Sequence, residues 1–165
     1  CFNFAYTYYL KKIVLLDVFS IAFSFFLRIL AGTIGIGVIA STWLLITVIM
    51  LSLYLALAKR YNEMTAVSKK HRKVLAEYTP EFLNNLLLIC ATLSIGFYTL
   101  YVVDKNTNLF QIITIPLVLY GFFRYYYLIY IKNKGGDPTE ILIKDKHILI
   151  TVILWILFSF LGVQL

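Results

Sequence analysis

The sequence predicts an all-α fold, a polytopic bundle of transmembrane helices, on three observations. Of its 165 residues, 61% are hydrophobic and 14% charged, whereas a soluble domain carries about 25% charged residues. Five apolar runs are each long enough for a bilayer, which takes about 20 mostly apolar residues to cross. When those runs are threaded alternately through a membrane, the basic residues separate almost completely by side.

The chain reads as one integral membrane domain over residues 1–165. It opens on cysteine, without the basic-then-apolar-then-small pattern of a signal peptide. Residues 1–10 are therefore expected to be the tail of an earlier helix, and the chain the C-terminal part of a longer one. The first complete run covers 13–37 and ends in the glycine-rich GTIGIG; the second covers 42–58, with Ser41 at the N-cap position. Pro80 opens the third run, 82–103, near the first-turn position that tolerates a missing N–H. The fourth, 109–131, contains Pro116 and Arg124, and the last covers 148–165.

Alternation of these spans is a sharp test of topology. One side receives Lys11, Lys12, Lys59, Arg60, Lys69, Lys70, Arg72, Lys73, Lys132, Lys134, Lys144 and Lys146, and the other only Lys105; Arg28 and Arg124 lie within spans. By the positive-inside rule the basic side faces the cytoplasm across a cell (inner) membrane, which puts the C-terminus on the opposite face. The net charge of +7 then reports membrane topology, and no nucleic-acid partner is expected. Cys1 and Cys90 are the only cysteines, so neither a disulfide framework nor a cysteine metal cluster is indicated.

Charges inside apolar runs carry the chemistry. Asp17 and Arg28 stand eleven residues apart, a helical rotation of about 1100° that leaves them within roughly 20° on one face. A charge in a membrane helix costs at least ~2.5 kcal/mol, so this stripe is expected to face protein, water or ligand. It is either a binding site or a charge network between helices. Lys59, Arg60 and Glu63 gather where the second run ends in AKRYNEM. Arg60 and Glu63, at i and i+3, have the spacing of a salt bridge, and Lys59 and Arg60 also suit a plain positive-inside anchor. Arg124 lies about five residues inside its span, placed either to snorkel to the interface or to serve a site. Arginine and lysine converging on one membrane face suit a phosphorylated substrate, and Asp17 with Glu63 supplies hard oxygen ligands for Mg²⁺.

Other features have ordinary readings. His71 and His147 fall in polar segments and read as surface residues. Gly35 and Gly37 follow no strand and read as a helix end rather than a phosphate loop. Ala31 and Gly35 have the small-xxx-small spacing of close helix packing. The tyrosines, dense in YTYY and YYYLIY, fit an interfacial belt. Asp137 and Glu140 in GGDPTE read first as turn and helix-start residues, with a substrate role as the other reading.

Several stretches resemble one family over nearly the whole chain: YTYYLKK from Tyr6, DVFSIAFSFFLRILAG from Asp17, STWLL and ALAKRYNEM up to Met64, YTPEFL from Tyr78, IPLVLYGFFRYYYL from Ile115 and GGDPTEILIKDKHIL from Gly135. They resemble the UbiA-type intramembrane prenyltransferases, in particular the decaprenyl-phosphate phosphoribosyltransferase branch. The resemblance implies a nine-helix bundle around a cavity open to the cytoplasm, of which this chain is similar to the last five helices. It implies a Mg²⁺-dependent transfer of 5-phosphoribose from phosphoribosyl diphosphate to a polyprenyl (decaprenyl) phosphate, releasing diphosphate, in cell-wall biosynthesis.

Tyr6 and Lys11 match the family's tyrosine and lysine at the end of the fourth helix, where the lysine contacts diphosphate. Lys59, Arg60 and Glu63 match the branch's form of a second polar motif that is aspartate-rich in ordinary prenyltransferases. The implied roles are catalysis and metal binding for Asp17 and Glu63, and substrate binding for Tyr6, Lys11, Arg28, Lys59, Arg60 and Arg124, with Arg28 orienting Asp17 or holding the lipid phosphate. The family's first motif, of the NDxxDxxxD kind, does not occur in this sequence, so activity is expected of the longer parent rather than of this chain alone. The alternatives are prenyl transfer to an aromatic or other acceptor, and a non-catalytic bundle that binds polyprenyl lipid.

Overall fold

A computed structural model of the chain describes residues 15–35, 37, 41–65, 78–104, 108–131 and 143–164. It is an all-α helix bundle: α1 (Leu16–Gly35), α2 (Thr42–Thr65), α3 (Pro80–Asp104), α4 (Leu109–Tyr130) and α5 (Lys146–Gln164), with no strand among the described residues. Each helix coincides with one apolar run. α1 to α4 are long and apolar enough to cross a membrane, while the apolar part of α5, Lys146–Gly162, is shorter. At 1.5 Å per residue it reaches about 25 Å, against a hydrocarbon core of about 30 Å.

The helix ends follow local chemistry. Thr79 caps α3, its hydroxyl accepting the Phe82 N–H at 3.2 Å and its carbonyl the Leu83 N–H at 3.1 Å. Pro80 then takes the first helical position, where no N–H is needed. The Ser41 carbonyl accepts the Leu45 N–H at the start of α2. α1 stops at Gly35, and Gly37 has a left-handed φ of +68°, the conformation that glycine adopts without strain. Hydroxyls along the apolar helices bond back to the preceding turn, Thr47 to the Trp43 carbonyl and Ser94 to that of Cys90, both at 2.8 Å. Each polar side chain is thereby satisfied inside its own helix.

Packing follows chain order, α1 on α2, α2 on α3, α3 on α4 and α4 on α5. Most bonds between helices join the end of one to the start of the next, while the Trp155 indole of α5 donates to the Tyr98 hydroxyl of α3 at 2.8 Å. At one rim Arg60 near the end of α2 meets Asp17 at the start of α1, and Tyr126 near the end of α4 meets Asn84 near the start of α3, at 2.8 Å. At the other rim Tyr98 of α3 donates to Thr114 of α4 at 2.7 Å, and Gln111 of α4 donates to the Gly162 carbonyl of α5 at 3.2 Å. Successive helices therefore run antiparallel, the alternation on which the charge-sorting argument depends.

The core holds Val18, Leu53, Tyr54, Leu57, Leu83, Leu87 and Leu128. Phe19, Phe23 and Phe25 on α1, with Ile150, Ile153 and Phe160 on α5, leave broad apolar faces exposed, as expected of helices that meet lipid or further helices. Ala31 and Gly35 face open space, with nothing within 4 Å of a Cβ built on Gly35. Their small-xxx-small spacing packs no helix among the described residues.

Candidate functional site

Asp17 lies in the first turn of α1, where a carboxylate complements the helix dipole. Leu15 just before it has a left-handed backbone, φ 67°, unusual for a residue with a branched side chain. Its carbonyl accepts the N–H groups of Val18 and Phe19, and its own N–H donates to the Tyr78 hydroxyl at 2.7 Å. Tyr78 in turn donates to Asp17 Oδ1 at 3.2 Å, an oxygen that also accepts the Val18 N–H at 2.8 Å. The second oxygen, Oδ2, accepts from Arg60 Nε at 2.6 Å, and Arg60 Nη1 donates to Glu63 Oε2 at 2.5 Å.

Three elements therefore converge: the first turn of α1, the last turns of α2 and the segment entering α3. Burial grades the cluster. The side chains of Arg60 and Asp17 are 2% and 3% exposed, but Glu63 is 32% exposed. An arginine buried to this degree is sustainable only because two carboxylates neutralise it. Burial, and then the Asp17 charge, raises the Tyr78 phenol above its ordinary range despite the opposing bond from Leu15. Tyr78 is thus kept as a hydroxyl donor.

The structure joins some of the expected site residues and separates others. Arg60 and Glu63 form the i, i+3 pair that their spacing allows. Lys59 is partly buried at the same helix end. Asp17 is oriented by Arg60 and not by Arg28, whose guanidinium lies 5.4 Å from the ring centre of Phe25 on an exposed face. Sharing a helical stripe aligned Arg28 with Asp17 in angle only, since eleven residues of rise separate them by about 16 Å. Arg124 grips Asp145, with Nε 3.3 Å from Oδ1 and Nη2 2.9 Å from Oδ2. Tyr6 and Lys11 lie outside the described residues, as do His71, Asp137 and Glu140. His147 is exposed at the start of α5, 3.5 Å from the Tyr120 hydroxyl.

Arg60 also decides how well Asp17 and Glu63 fit a magnesium ion. Its guanidinium bonds both carboxylates and so takes the position between them that a bridging cation would need. Asp17 already accepts three hydrogen bonds, and no group of three or more possible metal ligands converges among the described residues. Among the described residues the pair does not fit a resident Mg²⁺, because Arg60 occupies the space between the two carboxylates and no third ligand joins them.

Two residues that hold this rim escaped the sequence reading. Asp145 caps α5, its Oδ1 accepting the N–H groups of His147 and Ile148 at 3.1 Å. The Arg124 bonds, joined by these N–H groups and opposed by partial burial, hold its carboxyl below the usual carboxylate range. An aspartate just before an apolar run is a readable cap signal. Tyr78 carried no such signal beyond its place before Thr79 and Pro80. The tyrosines also divide: Tyr120, Tyr127 and Tyr130 are exposed as a belt requires, while Tyr54, Tyr61, Tyr78, Tyr98 and Tyr125 are buried.

A separate cavity of about 360 Å³ lies among α2, α3, α4 and α5, walled by residues such as Leu51, Leu117, Phe122 and Trp155. Its wall is almost wholly apolar. Tyr54 also lines it, 2% exposed, with a hydroxyl that finds no hydrogen-bond partner among the described residues. None of Asp17, Arg60, Glu63 and Tyr78 reaches it.

Curated proteins named decaprenyl-phosphate phosphoribosyltransferase are similar to most of this chain. That of Corynebacterium glutamicum is 28% identical over 155 residues, 88% of this chain and 46% of the relative. That of Mycolicibacterium smegmatis is 27% identical over 167 residues, and that of Mycobacterium tuberculosis 23% over 158; each match covers 92% of this chain and 52% of the relative. The chain spans about half the length of the curated relatives it matches. No model of a known protein family matches it. These similarities bear out the resemblance to the phosphoribosyltransferase branch, whose named members are transferases.

Proposed function

We propose that the protein transfers 5-phosphoribose from phosphoribosyl diphosphate to a polyprenyl phosphate at the cytoplasmic face of a cell membrane. The observation that carries this reading is the similarity to decaprenyl-phosphate phosphoribosyltransferases along 88% to 92% of the chain. The rim that gathers Asp17, Lys59, Arg60, Glu63 and Tyr78 supports it, because it is the rim to which alternating spans assign nearly all the basic residues.

In the proposed reaction the bond from the ribose anomeric carbon to diphosphate breaks, and diphosphate leaves with the electron pair. An oxygen of the polyprenyl phosphate forms the new bond to that carbon. Lys59, with Lys11 by resemblance, provides point charges for the leaving diphosphate. Glu63, the one partly exposed carboxylate of the cluster, accepts hydrogen bonds from donor hydroxyls, while Asp17 and Arg60 fix it from behind. Because Arg60 fills the space between the two carboxylates, no step is assigned to magnesium. Arg28 and Arg124 lie outside this arrangement.

The test uses the full-length protein in membranes with Mg²⁺, labelled phosphoribosyl diphosphate and polyprenyl phosphate, beside a Lys59→Ala variant. Labelled lipid made by the wild type and sharply reduced in the variant supports the reading. A folded wild-type protein that makes none sinks it. Prenyl diphosphate with aromatic acceptors would then be the next assay, and the polyprenyl-lipid-binding bundle, which the apolar cavity favours, would remain if that failed as well.

A further inference from the structure

Every member of the ionic cluster has a partner, yet only one member reaches the surface. Glu63 is 32% exposed, whereas Arg60 and Asp17 are almost wholly covered and Tyr78 is 4% exposed. A group that touches a soluble donor must be accessible, so Asp17, Arg60 and Tyr78 sit behind the contact rather than at it. The bonds run in sequence: Tyr78 hydroxyl to Asp17 Oδ1, Asp17 Oδ2 to Arg60 Nε, Arg60 Nη1 to Glu63 Oε2.

We propose that Tyr78 is a positioning residue for sugar recognition: through Asp17 and Arg60 it fixes Glu63, whose carboxylate reads a ring hydroxyl of the ribosyl donor. The inference rests on the phosphoribosyl-transfer reading. Its physical basis is the freedom of each link. The terminal torsion of an aspartate is broad, so the Asp17 carboxylate is held in plane by what bonds each oxygen. Oδ2 has Arg60, and Oδ1 has the adjacent Val18 N–H and the Tyr78 hydroxyl. Among the described residues, Tyr78 is the one donor to Oδ1 from outside α1. The same hydroxyl accepts the N–H of Leu15, whose left-handed backbone sets the direction in which the chain enters α1. Without it, the carboxylate can rotate, the guanidinium follows, and Glu63 loses the partner that holds its Oε2 in place. A site that hydrogen-bonds a substrate hydroxyl rejects the analogue lacking it far more strongly than an apolar pocket does, so specificity is the property that should fail first.

The experiment compares kcat/KM for phosphoribosyl diphosphate and for its 2-deoxy and 3-deoxy analogues, using full-length wild type, Tyr78→Phe, Glu63→Gln and the double variant. Phenylalanine keeps the ring that stacks on Phe82, 6.3 Å between centres, and removes only the hydroxyl. The expected result is that wild type discriminates against at least one deoxy analogue. Tyr78→Phe and Glu63→Gln each shrink that preference on the order of 10- to 100-fold, and the double variant shrinks it no further than Glu63→Gln alone. A merely structural loss lowers all three donors together and leaves the ratio unchanged; that outcome overturns the proposal, as does a wild type indifferent to both hydroxyls. Should Tyr78→Phe fail to fold, Asp17→Asn breaks the same link from the other side and must shrink the same ratio.

If the folded wild type transfers none of the donors, the transfer reading falls, and the clamp is judged by phenylglyoxal labelling of Arg60 with Arg124 as internal control. Labelling of Arg60 that rises several-fold in Tyr78→Phe sustains the clamp. Labelling at the wild-type level ends it.

Discussion

Arg124 and Asp145 are joined by two bonds, 3.3 Å and 2.9 Å, between the last turns of α4 and the residue that caps α5. The aspartate therefore serves two helices, closing the free N–H groups of one and anchoring the guanidinium of the other. Replacing Asp145 with alanine should cost about 1 kcal/mol for the lost cap alone, and more once Arg124 has lost its partner. Asparagine should recover part of the capping but not the ion pair. Thermal unfolding of the purified protein in detergent ranks the three, and equal melting temperatures for alanine and wild type would refute the double role.

The same pair sets an acid response. Because its folded-state pKa is depressed, Asp145 contributes stability that is fully present above its unfolded value of about 3.9 and is lost as pH falls through the folded value. Wild type should lose melting temperature relative to Asp145→Asn as pH is lowered from about 5 towards 3, and the two curves should run parallel above pH 5. Curves that stay parallel throughout would remove Asp145 as the source.

Removing Arg60 should be among the most damaging single changes in the described part of the chain. Arg60→Ala leaves a carboxylate that is 3% exposed without its cation, and breaking a buried pair from one side typically costs about 3–5 kcal/mol. Lysine should not rescue it, since a point charge cannot bond Asp17 and Glu63 as a fork does. The double change Arg60→Met with Asp17→Leu should recover much of the yield of folded protein while remaining inactive. A double variant no more stable than Arg60→Ala would count against the unpaired Asp17 carboxylate as the source of the loss.

Glycine positions give a paired test of packing. A Cβ at Gly162 would lie 2.6 Å from Gln111 Cγ and 3.5 Å from its backbone nitrogen, whereas one at Gly32 meets nothing within 4 Å. Gly162→Ala should destabilise by about 1–3 kcal/mol and break the Gln111 bond to the Gly162 carbonyl. Gly32→Ala should stabilise by up to about 1 kcal/mol through helix propensity. Melting temperatures that move the same way in both variants would contradict the packing of α4 on α5.

Tyr54→Phe should leave stability unchanged or raise it by about 1 kcal/mol, because the hydroxyl it removes is buried with no partner among the described residues. The ring contacts with Phe122 and Tyr125, 5.1 Å and 5.7 Å between centres, would remain. A marked loss of stability would show that something outside the described residues bonds this hydroxyl.

Much of this was readable from residue order, and the division is instructive. Helix existence depends on run length, so all five helices matched their apolar runs, and Pro80 marked its helix start correctly. The Arg60 to Glu63 pair was also accessible, because both residues lie on one helix and their spacing fixes their angle. Asp17 was recognised as a charge needing company, but helical geometry proposes partners only within the same helix. Its true partner lies 43 residues on and arrives from α2. Tyr78 was harder still, one tyrosine among thirteen whose role exists only where three elements meet. For Asp145 the cap was legible and the bond to Arg124 was not, since the first is local and the second depends on how α4 and α5 return past each other.

Polar links between helices among the described residues lie mainly towards the two rims; Trp155 reaches from mid-α5 to the Tyr98 hydroxyl at 2.8 Å, and the rest of the middle is left to apolar contact and an apolar cavity. Apolar surfaces tolerate a longitudinal slip. A helix displaced by one turn, about 5.4 Å, still presents leucine and phenylalanine to its neighbour. The rim bonds do not tolerate it, for the same slip would part Arg60 from Asp17, Tyr126 from Asn84, Tyr98 from Thr114 and Gln111 from Gly162. Register in this bundle is thus set from its ends, and a change that loosens one rim should show itself as helices out of step rather than as helices unfolded.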